Sequence, residues 1–418
     1  MKKVLLTMLL TSILLTSWAQ IQPTTKLIGA WSGKLDAGVM KLTVVFNLEQ
    51  AEDYVKITLD SPDQGAKGIP CKKDFLSDDS MAVSVEMINA TYRARLKDGK
   101  LEGVFTQNGY PLPLVLTKGA PEIKRPQQPQ PPFPYTTEEV TFKNEIDGAT
   151  LAGTLTYPVG YTQKNKKKPF VILLVTGSGQ QNRNEELMNH QPFLVIADYL
   201  ARQGIATLRY DDRATSASVG GEVKNATTKD FMRDAAAGID FLRMKKIFGK
   251  VGVLGHSEGG SIAFMLGAQK KADFIVSLAG PGVKGDTLLA AQSNRILELS
   301  GMPANVTTEK YRQLQSVQQI PWVRWFIDYD PSDDIRKTRC PVFALNGDHD
   351  CQVISSLNLQ AIKRLLPSSS KHLIKEYPQL NHLFQHCTTG LPAEDGQIEE
   401  TISPEVLMDI AQWINSLK

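Results

Sequence analysis

Gly255-His256-Ser257-Glu258-Gly259 follows an apolar run, Val251 to Leu254, and opens a second run, Gly260 to Gln269, spaced like a helix. Gly-x-Ser-x-Gly between a strand and a helix is the pattern of a nucleophile elbow, which holds a serine on a strained turn. Its glycines let helix and strand approach closely, where a Cβ would intrude. Five residues match many Gly-rich turns by chance, so the reading depends on partners downstream. An apolar segment, Pro341 to Leu345, runs into Asn346-Gly347-Asp348-His349-Asp350, and another, His372 to Tyr377, runs into Pro378-Gln379-Leu380-Asn381-His382. Open parallel sheets gather reactive groups in the loops at the carboxyl ends of their strands. Ser257, Asp350 and His382 are therefore the predicted triad, with Asp348 as the alternative acid.

Working outward, strand-like and helix-like segments alternate from about residue 136 to the end. Strands are predicted over Phe170 to Thr176, Ile205 to Tyr210, Phe274 to Leu278 and the three segments above, and helices over Pro192 to Arg202, Lys229 to Arg243, Ser355 to Leu366 and Pro404 to Leu417. This order predicts a mostly parallel sheet with helices on both faces. A hairpin, Glu139 to Phe142 with Leu151 to Tyr157, is expected to supply an antiparallel edge. Residues 20–118 read differently, as short period-two bursts such as Val44, Phe46 and Leu48; Val55, Ile57 and Leu59; and Met81, Val83, Val85 and Met87. Such alternation describes antiparallel strands with one buried face, hence a small all-β barrel or sandwich. Residues 119–135, rich in proline and glutamine, read as a stiff spacer between the two parts.

The region from Thr136 onward resembles the α/β-hydrolase superfamily, and within it bacterial carboxylesterases that carry a small β-domain ahead of the hydrolase domain. The matching stretches are Thr176-Gly177-Ser178-Gly179-Gln180-Gln181-Asn182-Arg183, Arg209-Tyr210-Asp211-Asp212-Arg213, the elbow, Asn346 to Asp350, and Asn381-His382-Leu383-Phe384-Gln385. The resemblance implies an α/β-hydrolase fold over 136–418, the acid at Asp350 rather than Asp348, and a helical cap inserted at about 281–335. The aromatics Trp322 to Phe326 are expected either to line an acyl pocket or to pin the cap. One stretch departs from the pattern: similar proteins follow Asp-Asp-Arg with Gly-x-Gly, whereas Arg213 here precedes Ala214-Thr215-Ser216. A different backbone path, and a differently shaped pocket, are expected there. The acid and histidine loops are neighbours in this superfamily, so a Cys351–Cys387 disulfide is one possibility and isolated thiols the other; four cysteines allow three full pairings.

Lys2 and Lys3, an apolar run from Val4 to Leu15, and small residues at Ser17 and Ala19 read as a signal peptide over residues 1–19, predicting export to the periplasm or beyond. No segment is long and apolar enough for a membrane span. The formal charge of +3 over 418 residues falls to +1 without the two leader lysines, and no clustered basic face marks a nucleic-acid binder. His382, His386 and Cys387 have the spacing of helix-borne metal ligands, but no glutamate lies between the histidines as a metalloprotease needs. Neither metal nor cofactor is expected.

A serine hydroxyl needs a base to become nucleophilic at neutral pH. His382 suits that task, Asp350 would fix its tautomer, and the backbone N–H of Glu258 together with Ser178 would hold the oxyanion. His256 inside the elbow is expected to support, and Glu258 to matter for its backbone. The sequence thus predicts a secreted serine carboxylesterase acting on small-molecule or oligosaccharide esters. A serine peptidase or carbohydrate acetylesterase on the same fold is the enzymatic alternative. A non-enzymatic binding module is the other class, disfavoured because no step of the chemistry lacks a residue. Oligomeric state leaves no trace in the sequence.

Overall fold

The computed structural model describes residues 25–418 apart from 37, 39, 40, 53, 65, 121–123, 163, 165, 166 and 315–318. The segment read as a signal peptide lies outside the described residues. Two compact units make up the chain, one built on residues up to 36, 44–60 and 67–120 and the other on 37–43, 61–66 and 121–418.

The first unit is a closed antiparallel barrel of β1 (Gly29–Asp36), β2 (Lys41–Gln50), β3 (Val55–Ser61), β4 (Ala66–Leu76), β5 (Ser80–Val85), β6 (Ala90–Lys97), β7 (Lys100–Gln107) and β8 (Tyr110–Lys118). β1 pairs with β8 to close it, leaving no free edge. Alternate residues fill the interior, among them Val44, Phe46, Leu48, Ile57, Leu59, Val83 and Tyr92. Phe46 stacks on Tyr92 at 5.1 Å, and the Tyr92 hydroxyl donates to the carbonyls of Leu101 and Leu114. The expected alternation overruns at Met87. β5 ends at Val85, a 3-10 turn covers Glu86–Ile88, and Met87 points to solvent.

The second unit contains an eight-stranded sheet in the order β16-β15-β14-β13-β11-β12-β10-β9. Its strands are β9 (Thr137–Asn144), β10 (Ala149–Thr156), β11 (Val171–Val175), β12 (Ala206–Tyr210), β13 (Val251–His256), β14 (Ile275–Leu278), β15 (Val342–Gly347) and β16 (Leu373–Tyr377). β11 to β16 run parallel, and the β9–β10 hairpin adds the antiparallel edge through β12. β11, β12, β13, β14 and β15 are buried throughout, which is why they read as continuous apolar runs. Helices α1 (Pro192–Arg202), α2 (Thr228–Met244) and α3 (Glu258–Ala268) follow β11, β12 and β13. Apolar clusters lie on both faces of the sheet: Leu173, Val253, Ile239 and Ile262 on one, and Ile172, Leu254, Ile196 and Ile410 on the other. Between β14 and β15 lie α4 (Gly285–Leu299) and shorter helices at Thr308–Arg312, Pro321–Asp328 and Ser332–Lys337.

The Pro-rich stretch is no free spacer. The Arg125 guanidinium donates to the carbonyls of Met188, Gly396 and Ile398, and the Gln127 side chain donates to the Ile402 carbonyl and accepts the Thr401 N–H, all within the second unit. Extended proline-rich backbone satisfies few of its own polar groups. Here it serves as a strap.

Candidate active site

Ser257 stands between β13 and α3 at φ 54° and ψ −117°, a strained pair for a non-glycine residue. The turn exists because its neighbours are glycine. A Cβ on Gly255 would lie 1.9 Å from the Gly259 carbonyl oxygen, and one on Gly259 would lie 2.2 Å from that of Val175. The strain therefore has a definite source in close backbone packing, and it turns the serine out at the carboxyl end of the sheet.

His382 lies beyond β16, and its Nδ1 is 2.7 Å from Asp350 Oδ2. The other Asp350 oxygen accepts the N–H groups of Gln352 and Val353, so the carboxylate is aimed by its own loop. Asp348 instead accepts the Gln379 N–H and pairs with His349 in a partly exposed position. Of the two acids, Asp350 is the one that meets His382. Ser257, His382 and Ser178 line one cavity of about 400 Å³.

Glu258 is the first residue of α3, so its N–H has no intrahelical acceptor. In the loop after β11, the Gly177 N–H is already donated to Glu185 Oε1 at 2.9 Å. That leaves Ser178 as the next donor facing the cavity. The loop is held by the stretch after β12: Asp212 accepts from Thr176 Oγ1 and the Gln181 N–H, Asp211 pairs with Arg183, and Arg213 with buried Asp234. Burial above all pushes the Asp212 carboxyl up to about 8. Beyond it, Ala214 and Ser216, where similar proteins carry glycines, adopt φ 52° and 51°. These residues take left-handed conformations that glycine adopts without strain.

Glu185 gains a role that the sequence did not reveal, and His256 takes the supporting place expected of it. Glu185 and His256 are both buried, and Glu185 Oε1 lies 2.9 Å from His256 Nδ1. His256 Nε2 faces the His382 carbonyl at 3.0 Å; a carbonyl only accepts, so Nε2 carries a proton. Burial opposes charge on this ring, but Glu185, with the His382 carbonyl and Asp350 adding to it, holds His256 above its ordinary value. The pair thus joins the Gly177 amide to the backbone of His382, and the two imidazoles lie 4.7 Å apart. Glu258 contributes more than its backbone: its buried carboxyl, pushed up by burial, accepts the Trp322 indole N–H at 2.8 Å.

The aromatics of the helix Pro321–Asp328 divide between cavity and core. Trp322 and Phe326 line the cavity and stack at 5.0 Å, while Trp325 stacks on Tyr329 and packs against the core. All four cysteines are free thiols, so the Cys351–Cys387 bridge is not formed. His386 pairs with Glu400 instead of joining His382, and no cluster of three or more metal-ligating side chains occurs among the described residues. No helix among them is long and apolar enough to cross a membrane.

A family model described as "Serine aminopeptidase, S33" matches residues 190–339. Esterase EstD of Thermotoga maritima is 25% identical over 294 residues, covering 67% of this chain and 69% of its own length. The chain carries an α/β-hydrolase domain. Among solved structures, an esterase of Pyrococcus furiosus aligns with 16% identity over 71% of this chain and 99% of its own, at a TM-score of 0.46. Est1E of Butyrivibrio proteoclasticus aligns with 16% identity over 66% and 98%, at 0.43. The second unit, which follows the eight-stranded barrel, is thus similar in sequence to an esterase.

Proposed function

We propose that this protein is an exported serine carboxylesterase that hydrolyses short-chain or otherwise accessible carboxylic esters through an acyl-enzyme. One observation carries the reading: His382 is bound to Asp350 at 2.7 Å while sharing a cavity with Ser257 on its strained turn. In this reading the Ser257 hydroxyl attacks the ester carbonyl as His382 Nε2 takes its proton, with Asp350 stabilising the imidazolium. The oxyanion faces the Glu258 N–H and Ser178. Collapse expels the alcohol, protonated by His382, and water then releases the acid by the same steps in reverse. The esterase relative supports the reaction class, and the apolar N-terminal run supports export.

A fluorophosphonate should label Ser257, and Ser257→Ala should lower p-nitrophenyl butyrate turnover by a factor on the order of 10³ or more. Labelling at Ser178 or Ser261 would move the nucleophile elsewhere. A serine peptidase is the second reading, favoured by the description of the matching family model. Aminoacyl p-nitroanilides cleaved faster than p-nitrophenyl esters of similar size would establish it.

A further inference from the structure

The cavity around Ser257 and His382 is walled mainly by apolar side chains, including Leu187, Met188, Leu288, Trp322, Phe326 and Leu383. Asp395 interrupts that wall. It ends the short helix Pro392–Asp395, is only 4% exposed, and stands apart from the link between His382 and Asp350. Its Oδ1 accepts a 2.9 Å hydrogen bond from Asn381 Nδ2, and its backbone carbonyl lies 3.0 Å from His190 Nε2. Its Oδ2 takes no hydrogen bond among the described residues. That oxygen is open to the cavity, where an occupant can supply the missing partner in place of water.

The chain decides which part of an ester would supply it. Asn381 immediately precedes His382, and His382 must reach the oxygen of the departing alcohol. Asp395 is therefore tied to the loop that meets the alcohol half of the substrate. Burial foremost, with Glu394 and Asp350 adding to it, pushes its carboxyl up to about 7. Such a group passes between its two protonation states near neutrality. A hydroxyl suits both states, donating to the carboxylate and accepting from the acid, whereas an ammonium suits only one.

We propose that Asp395 binds a further hydroxyl of the leaving alcohol, so that the preferred substrates are esters of polyols rather than of monohydric alcohols. The assignment rests on the Ser257 esterase reading above. Glycerol and sugars offer the same chemistry, and the test separates them. With the full chain, kcat/KM is measured by acetate release from glycerol monoacetate, from a monoacetylated methyl xyloside and from propyl acetate. The ratio of each polyol ester to propyl acetate is then compared between native protein, Asp395→Asn and Asp395→Leu, so that intrinsic reactivity cancels. Losing a hydrogen bond to this carboxyl should lower the ratio about tenfold in the leucine variant. The asparagine variant, which keeps an acceptor for Asn381, should lose a smaller part, on the order of threefold. The ester showing the larger native ratio identifies the polyol. Unchanged ratios in either folded variant overturn the proposal while leaving the esterase reading intact. Failure to cleave any of the three esters, with Ser257 unlabelled by a fluorophosphonate, removes both.

Discussion

Asp348 and Asp350 are chemically identical and two residues apart, yet their hydrogen bonds give them different work. Asp350 is aimed at His382 by the Gln352 and Val353 amides, whereas Asp348 braces the Gln379 amide beside His349. Asp350→Asn should therefore lower kcat by several orders of magnitude, as expected when a triad histidine loses the acceptor that sets its tautomer, and Asp348→Asn far less. Steady-state kinetics of both variants on p-nitrophenyl acetate checks this; equal losses would contradict it. Asp212 makes a different prediction. Its carboxyl is pushed up to about 8 mainly by burial, against the opposing bonds from the Gln181 amide and Thr176, while an unfolded aspartate ionises near about 4. Between those values the unfolded chain binds fewer protons, so stability conferred by this group is full below the lower value and falls as pH rises towards 8. Asp212→Asn keeps an acceptor for the Gln181 amide and removes the titration. Urea unfolding at pH 5 and pH 8 should show the native protein losing more stability over that interval than the variant; an equal loss would mean that Asp212 is ionised in the fold. The candidate triad was legible in the sequence because its three members follow strands. Glu185 was invisible, since its partners are a histidine 71 positions away and a backbone amide.

The parallel strands were legible for a physical reason: burial on both faces demands unbroken apolar runs, and helices between them need an apolar stripe. α1 begins at Pro192 and ends at Arg202, as its pattern predicts. What composition could not convey was the conformation of loops, where Ala214 and Ser216 keep left-handed angles without glycine. Nor could it divide the labour of the aromatics in helix Pro321–Asp328, because Trp322 and Trp325 lie three positions apart on one short element. Trp322 is the testable one. Its indole N–H holds this helix to Glu258, the residue after the candidate nucleophile, and its ring lines the cavity. Trp322→Phe keeps an aromatic ring and leaves the buried Glu258 carboxyl without that donor. Thermal unfolding should report a loss of about 1 kcal/mol, and KM for p-nitrophenyl butyrate should rise more than kcat falls, because the helix shapes binding and not the reacting atoms. A fall in kcat at constant KM would instead place the effect on the oxyanion donor.

At the scale of the whole molecule, the change from period-two alternation to strand–helix alternation separated the barrel from the hydrolase domain. The strap between them escaped because nothing in a proline- and glutamine-rich stretch marks one arginine as an anchor. Arg125 binds carbonyls as far as 273 positions away, and backbone carbonyls leave no signature in sequence. The consequence reaches the cavity, since Met188 lines it and Gly396 follows Asp395. Arg125→Ala would strip donors from three carbonyls at once. Hydrogen bonds from a charged donor contribute about 1.5–3 kcal/mol each at best, so a loss on the order of 2 kcal/mol is expected after water and relaxation satisfy part of the set. The position of the strap also decides where the hydrolase domain can be cut free. All proposed reacting groups lie between Ser178 and His382, so removing the barrel should spare hydrolysis of a small activated ester. A chain beginning at residue 120 retains Arg125 and Gln127, whereas one beginning at Pro132 has lost both ties to residues 396–402. The longer chain should unfold at the higher temperature and keep a KM for p-nitrophenyl acetate near that of the full protein, and the shorter one should bind the ester more weakly. Identical behaviour of the two would show that the strap leaves the cavity wall unaffected, and inactivity of a well-folded longer chain would show that the barrel completes the site.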